Sequence, residues 1–217
     1  DVLFLAMELL EGESLGELLG REGPLGVAET AAIVEQAAGS LQEAHRAGMV
    51  HRDVKPHNIM LVARGEDRRF VKVIDFGIAK ALQAETRLRR SLTQTGMMIG
   101  TPTYMAPEQI RASEVTARTD QYALATCAYR MLAGRAPFEN GTSLEIASRH
   151  LTESPMPLRS YRPELEVSEA VENVLLKALA KEPEARFETI SAFAEAMGAA
   201  LEGRREGVPD REELEVG

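Results

Sequence analysis

Apolar and polar positions follow two rhythms along this chain, and the change of rhythm sets the predicted elements. The run Val2-Leu3-Phe4-Leu5-Ala6-Met7 is short enough for one buried strand and has no hairpin partner beside it. Glu11-Gly12-Glu13-Ser14 breaks it, and Ser14 stands where a cap precedes a short helix over 15–21 that Gly23-Pro24 ends. Over 26–47, Ala28, Ala32, Ile33, Ala37, Leu41 and Ala44 recur near helical period, which predicts a long buried helix stopped by Gly48. The rhythm then shortens. Ile59-Met60-Leu61-Val62 and the apolar run over 70–74 read as a hairpin turning around Gly65-Glu66-Asp67.

Periodicity lapses between Gly77 and Gly100, where Ser91, Thr93 and Thr95 gather with Arg87, Arg89 and Arg90, the composition of a mobile loop. An apolar helix is predicted over 120–133, a turn at Gly134-Arg135-Ala136-Pro137-Phe138, and further helices over 144–151, 168–180 and 190–201. The charged stretch over 203–217 reads as a flexible tail. The fold class is therefore mainly α, a helical bundle with short β-hairpins, preceded by one orphan strand.

Composition narrows the function classes. At 217 residues with 44% hydrophobic content the chain supports one substantial core rather than two full domains. A formal net charge of −9 disfavours a nucleic-acid surface, which rests on basic residues. No apolar run is long enough for a membrane span. The single cysteine, Cys127, lies in the apolar run over 122–129 and reads as a small core residue, with no internal disulfide partner.

Two segments carry chemistry. His51-Arg52-Asp53-Val54-Lys55-Pro56-His57-Asn58 supplies a carboxylate, an ammonium and a carboxamide on one loop; Asp75-Phe76-Gly77 adds a carboxylate on the turn after the 70–74 run. A metal-bound nucleoside triphosphate requires such a set, with hard oxygen donors from separate loops suiting magnesium or manganese rather than zinc. An isolated Asp53 would more often be an exposed turn residue, but Lys55, Asn58 and Asp75 stand with it. His45, His57 and His150 have no paired ligand spacing, so surface or helix-end roles are expected for them.

These segments resemble the catalytic and metal-binding loops of protein kinases. The resemblance continues in order through Gly100-Thr101-Pro102-Thr103-Tyr104-Met105-Ala106-Pro107-Glu108, Asp120-Gln121-Tyr122-Ala123-Leu124 and Pro183-Glu184-Ala185-Arg186-Phe187. In wording the chain is most similar to bacterial serine/threonine kinases of the eukaryotic type, over 1–202. It departs from the usual pattern at Ala125, where relatives carry glycine.

The resemblance implies the role of each residue. Asp53 would be the catalytic base, Lys55 would reach the γ-phosphate, and Asn58 and Asp75 would hold Mg2+ or Mn2+. Thr101 would help shape the acceptor site beside Asp53 and Lys55. The ATP site would draw on Met7 as gatekeeper, the hinge at Glu8 and Leu10, Ser14, Lys55, Asn58, the floor residue Met60, and Asp75. His51 would pack under Phe76; Asp120 would hold the catalytic loop; Glu108 and Arg186 would pair to anchor the activation segment. Arg52 would meet a phosphate placed on Thr93 or Thr95.

By the same resemblance the chain is the hinge and large lobe of a kinase whose small lobe, with its glycine-rich lid and phosphate-holding lysine, is absent. That implies transfer of the γ-phosphoryl group of ATP to serine or threonine hydroxyls of proteins as part of a longer chain, and weak ATP binding and self-association by this segment alone. A cytoplasmic location is implied, either free or as the cytoplasmic domain of a membrane-anchored protein, with a kinase dimer for trans-autophosphorylation. Two alternatives stand beside this reading. A non-catalytic regulatory pseudokinase is disfavoured by the intact Asp53, Lys55, Asn58 and Asp75, and a kinase-like small-molecule phosphotransferase by the 100–108 segment.

Overall fold

The computed structural model describes residues 8–65, 67–76, 102–165 and 167–205. The strand expected over 2–7 and the loop over 77–100 lie outside them.

Three antiparallel strands, β1 (Gly12–Ser14), β2 (Ile59–Arg64) and β3 (Asp67–Val73), form one small sheet in the order β1-β2-β3. β2 and β3 are the expected hairpin, with Leu61 opposite Val71 and Val62 opposite Phe70. β1 is a correction: residues read as a break pair with β2, Gly12 opposite Val62 and Ser14 opposite Met60. Glycine has low strand propensity, yet here only glycine fits, because a Cβ at Gly12 would lie 2.1 Å from the Leu61 carbonyl oxygen.

Ser14 ends the strand and caps α1 (Leu15–Glu22) through a reciprocal capping box with Glu17, the Glu17 backbone N–H donating to Ser14 Oγ at 3.2 Å and the Ser14 N–H to Glu17 Oε2 at 2.8 Å. α1 turns Leu15, Leu18 and Leu19 into the core. The long helix α2 (Val27–Arg46) follows and buries Ile33, Val34, Ala37, Ala38, Leu41 and Ala44. Ala28 and Ala32 are exposed, contrary to the face expected from sequence. Alanine is compatible with either face of a helix, so Thr30, Ala31 and Val34 take those positions in the core instead.

After the short α3 (Pro107–Ile110) comes α4 (Ala117–Ala133), the centre of the molecule. It begins before the predicted Asp120 because Thr116 caps it, and it ends at Gly134, whose φ of 78° is left-handed. From Thr119 to Ala133 only Arg130 escapes full burial. Ala125 and Cys127 are completely enclosed, and burial pushes the Cys127 thiol far up. α2 packs against α4 and against α8 (Ile190–Arg205), which runs past residue 202. Between them in sequence lie α5 (Ser143–Thr152), capped by Thr142, α6 (Leu158–Tyr161) and α7 (Glu169–Ala178), capped by Ser168. Tyr122, Tyr129, Phe193, Leu124 and Leu132 are among the largest fully buried side chains, each contributing about 1.5–3 kcal/mol by leaving water. Among the described residues no helix is long and apolar enough to cross a membrane.

Candidate active site

The loop joining α2 to β2 carries Asp53, Lys55 and Asn58, and its backbone is held from below by Asp120 on α4. Oδ2 of Asp120 accepts from the His51 N–H at 2.8 Å and Oδ1 from the Arg52 N–H at 2.8 Å. Arg52 sits at φ 65°, a left-handed conformation costly for a side chain with a Cβ, so these bonds stabilise a strained turn. His45, from the last turn of α2, adds its Nε2–H to Asp120 Oδ2 at 2.7 Å. Its other nitrogen, Nδ1, is buried with no hydrogen-bond partner among the described residues.

His51 links this loop to the strand end beyond it. Its Nδ1 accepts from the Asp53 N–H at 3.2 Å, which leaves Nε2 as the protonated nitrogen donating to the Ile74 carbonyl at 2.8 Å. The ring lies 4.7 Å from that of Phe76. A backbone bond from the Ile74 N–H to the Asn58 carbonyl, 2.9 Å, brings the Asp75 turn beside the loop.

At the surface of the loop, Lys55 Nζ donates to Asp53 Oδ2 at 2.9 Å. The Asn58 amide N–H donates to the Asp53 backbone carbonyl at 2.8 Å and to Oδ2 at 3.3 Å. With its nitrogen so engaged, Asn58 keeps Oδ1 as a neutral oxygen donor. Asp75 is exposed at φ 57°, and its carboxylate has no hydrogen-bond partner among the described residues. A carboxylate unpartnered among the described residues, on the residue following the Ile74 N–H bond to the Asn58 carbonyl, fits the chemistry of a hard divalent cation that takes further ligands from phosphates and water. Among the described residues no cluster of three or more His, Cys, Asp or Glu could hold a metal unaided.

Beside the loop runs the segment from Pro102 to Ile110. The Gln109 amide donates to the Arg52 carbonyl at 2.8 Å, fastening α3 to the residue before Asp53. Glu108 and Arg186 form a buried bidentate pair, 2.8 Å for each bond, and Thr119 Oγ1 donates to Glu108 Oε1 at 2.8 Å. Burial pushes the Glu108 carboxyl up, but the bonds and charge of Arg186 outweigh it and hold the group below the usual range. Tyr104 bonds Arg130; burial, and the nearby Cys127, push the phenol up to about 12.

The remaining predicted residues fall as follows. Glu8 is exposed and pairs with Lys72 at 2.7 Å, Leu10 is half-buried, and Met60 is half-buried in β2. Ser14 is buried, its hydroxyl committed to the cap of α1. Met7, Thr93, Thr95 and Thr101 lie outside the described residues. His57 is exposed, and His45 and His150 each stand in the last turn of a helix, as expected; their rings, however, are buried and hydrogen-bonded rather than at the surface. Sequence reasoning also missed Gln109 and Thr119, for which helix-start polar residues after Pro107 and Thr116 were the only signal.

Fold and loop together define one class, the protein kinases. The chain matches the family described as Protein kinase domain over residues 1–197 and belongs to it. Serine/threonine-protein kinase pkn3 of Myxococcus xanthus is 42% identical over 203 residues, covering 94% of this chain and 37% of that protein. Serine/threonine-protein kinase PknA of Mycobacterium tuberculosis is 39% identical, covering 96% of this chain and 45% of that one. The chain thus spans less than half the length of these curated relatives. Among solved structures, the kinase domain of Mycobacterium tuberculosis PknI is similar at 31% identity and a TM-score of 0.67, over 89% of this chain and 64% of that chain.

Proposed function

We propose that this chain is the large lobe of a kinase that moves the γ-phosphoryl group of ATP to serine or threonine hydroxyls of proteins. The observation carrying the reading is the Asp53 carboxylate, bonded by Lys55 and Asn58 on a loop whose backbone Asp120 fixes. Phosphoryl transfer asks a protein mainly for alignment and charge, and each group here supplies one of them.

Asp53 orients the acceptor hydroxyl and takes its proton. Lys55, 2.9 Å from that carboxylate, places positive charge where the transferred group's negative charge develops. Asn58 Oδ1 and the Asp75 carboxylate would hold the magnesium ion, which supplies charge neutralisation on the phosphates when bound. Thr101 would border the acceptor position. Met60 would give the base an apolar floor, the backbones of Glu8 and Leu10 would face the adenine edge, and Met7 would be the gatekeeper. A phosphate on Thr93 or Thr95 would pair with Arg52 and order the intervening segment. The test joins residues 1–217 to a kinase small lobe and follows transfer of labelled γ-phosphate to protein serine and threonine, with Asp53→Asn as control. Labelling that is absent, or equal in the control, overturns the assignment.

A further inference from the structure

His150 is a buried titratable side chain that the catalytic loop does not use. It is wholly enclosed in the last turn of α5, and both ring nitrogens are engaged. Nε2 lies 3.0 Å from the backbone carbonyl of Thr103, and Nδ1 lies 2.9 Å from the hydroxyl of Tyr122 on α4. A carbonyl only accepts, so Nε2 carries the proton and Nδ1 accepts from Tyr122. Burial, with Lys181 nearby, pushes the imidazole down to about 4, so this single neutral pattern holds at neutral pH.

The surroundings are aromatic. The ring meets Phe138 edge-on at 5.0 Å between centroids and Tyr122 at 5.7 Å. An apolar side chain would fill such a nest with no polar group to satisfy. What the imidazole adds is a two-ended link joining α4 and α5 to the turn Pro102–Tyr104. That turn leads directly into α3, whose Gln109 is fastened to the carbonyl of Arg52, next to Asp53. Gln109 so fastens this segment beside Asp53, and on the reading proposed above a chain delivering a hydroxyl to Asp53 would run along the backbone that His150 holds.

We propose that His150 is a positioning residue for the protein substrate: its hold on the Thr103 carbonyl sets the backbone of residues 102–106 against which the acceptor chain rests. This deepens the protein kinase reading and rests on it. The His150 ring is fully buried and bonded to Thr103 and Tyr122, so its influence would reach the acceptor through that backbone and spare ATP.

The test uses residues 1–217 joined to a kinase small lobe, with His150→Phe and His150→Gln. His150→Phe keeps the ring volume and loses both bonds; the Gln amide can restore the N–H to Thr103. The expected result is a KM for a protein or peptide acceptor raised about tenfold in His150→Phe, with ATP KM and kcat within about twofold of wild type, and most of the acceptor KM recovered in His150→Gln. Amide exchange in 102–106 should quicken about tenfold in His150→Phe while the α4 amides keep their protection. An unchanged acceptor KM, an equal rise in ATP KM, or exchange quickened throughout the lobe would overturn the proposal while the wild type remains active. A wild type that phosphorylates no acceptor overturns the kinase reading along with it.

Discussion

Arg186 spends all of its N–H donors around Glu108. Two go to the Glu108 carboxylate at 2.8 Å each, and the others to the carbonyls of Arg118, Ala180 and Lys181 at 2.8, 2.8 and 3.1 Å. The pair spans 78 positions of sequence and ties α3 to the turn after α7. Breaking it from one side leaves a buried charge without its partner. Glu108→Met or Arg186→Met should each lower the unfolding free energy by about 3–5 kcal/mol, and the double replacement Glu108→Met/Arg186→Met should cost less than the two single changes added together. Urea unfolding of the four proteins in the cycle measures both.

Asp120→Ala should loosen the catalytic loop before it unfolds the helices. The change strips the His51 and Arg52 N–H groups of their acceptor and leaves Arg52 to hold φ 65° without those bonds. Each abandoned buried donor costs about 1–3 kcal/mol. Hydrogen exchange should show the loss of protection concentrated in the loop; protection lost evenly across α2 and α4 would contradict the role given to Asp120.

Much of this was legible in the sequence. Helices α1, α5, α7 and α8 follow from period and caps, because their buried faces repeat cleanly and Ser14, Thr142 and Ser168 mark their starts. The hairpin of β2 and β3 follows from its apolar runs around Gly65. What stayed hidden depends on distant partners. Gly12 makes a strand only because Leu61 comes close, and nothing near His45 or His150 announces that Asp120, Tyr122 or Thr103 waits beside it. Polar side chains buried by tertiary contact have no local pattern to betray them.

Asp53→Asn and Asp75→Asn, made behind a small lobe, should each reduce phosphoryl transfer by about a hundredfold or more while melting temperature barely moves. Asp75 is exposed and unpartnered among the described residues, so neutralising it removes no contact within them. Single-turnover transfer compared with thermal melting separates the two effects. Near-normal turnover in either variant would remove that carboxylate from the site.

Acid should weaken the lobe in a window set by His150. Its folded value, about 4, lies below the ordinary 6.5, so the unfolded chain binds a proton that the folded one refuses. Stability contributed by the neutral ring is complete above pH 6.5 and is lost as pH falls from there toward 4. The loss attributable to this ring reaches about 3 kcal/mol at the bottom of the window. Unfolding free energies of wild type and His150→Gln at pH 7 and pH 5 should therefore converge as pH falls; parallel behaviour would show that the ring does not titrate between the two states.

The enclosure of Cys127 makes the described surface free of thiols. It is the chain's only cysteine, fully buried on α4 with its thiol held protonated, so alkylating reagents and mild oxidants should pass it by in the folded state. Any cysteine introduced at an exposed site such as Leu144 or Met156 would then be the single attachment point for a fluorophore or spin label. The native thiol becomes a clock in return: its appearance to a thiol reagent reports the opening of the innermost helix, with no mutation needed to install the probe.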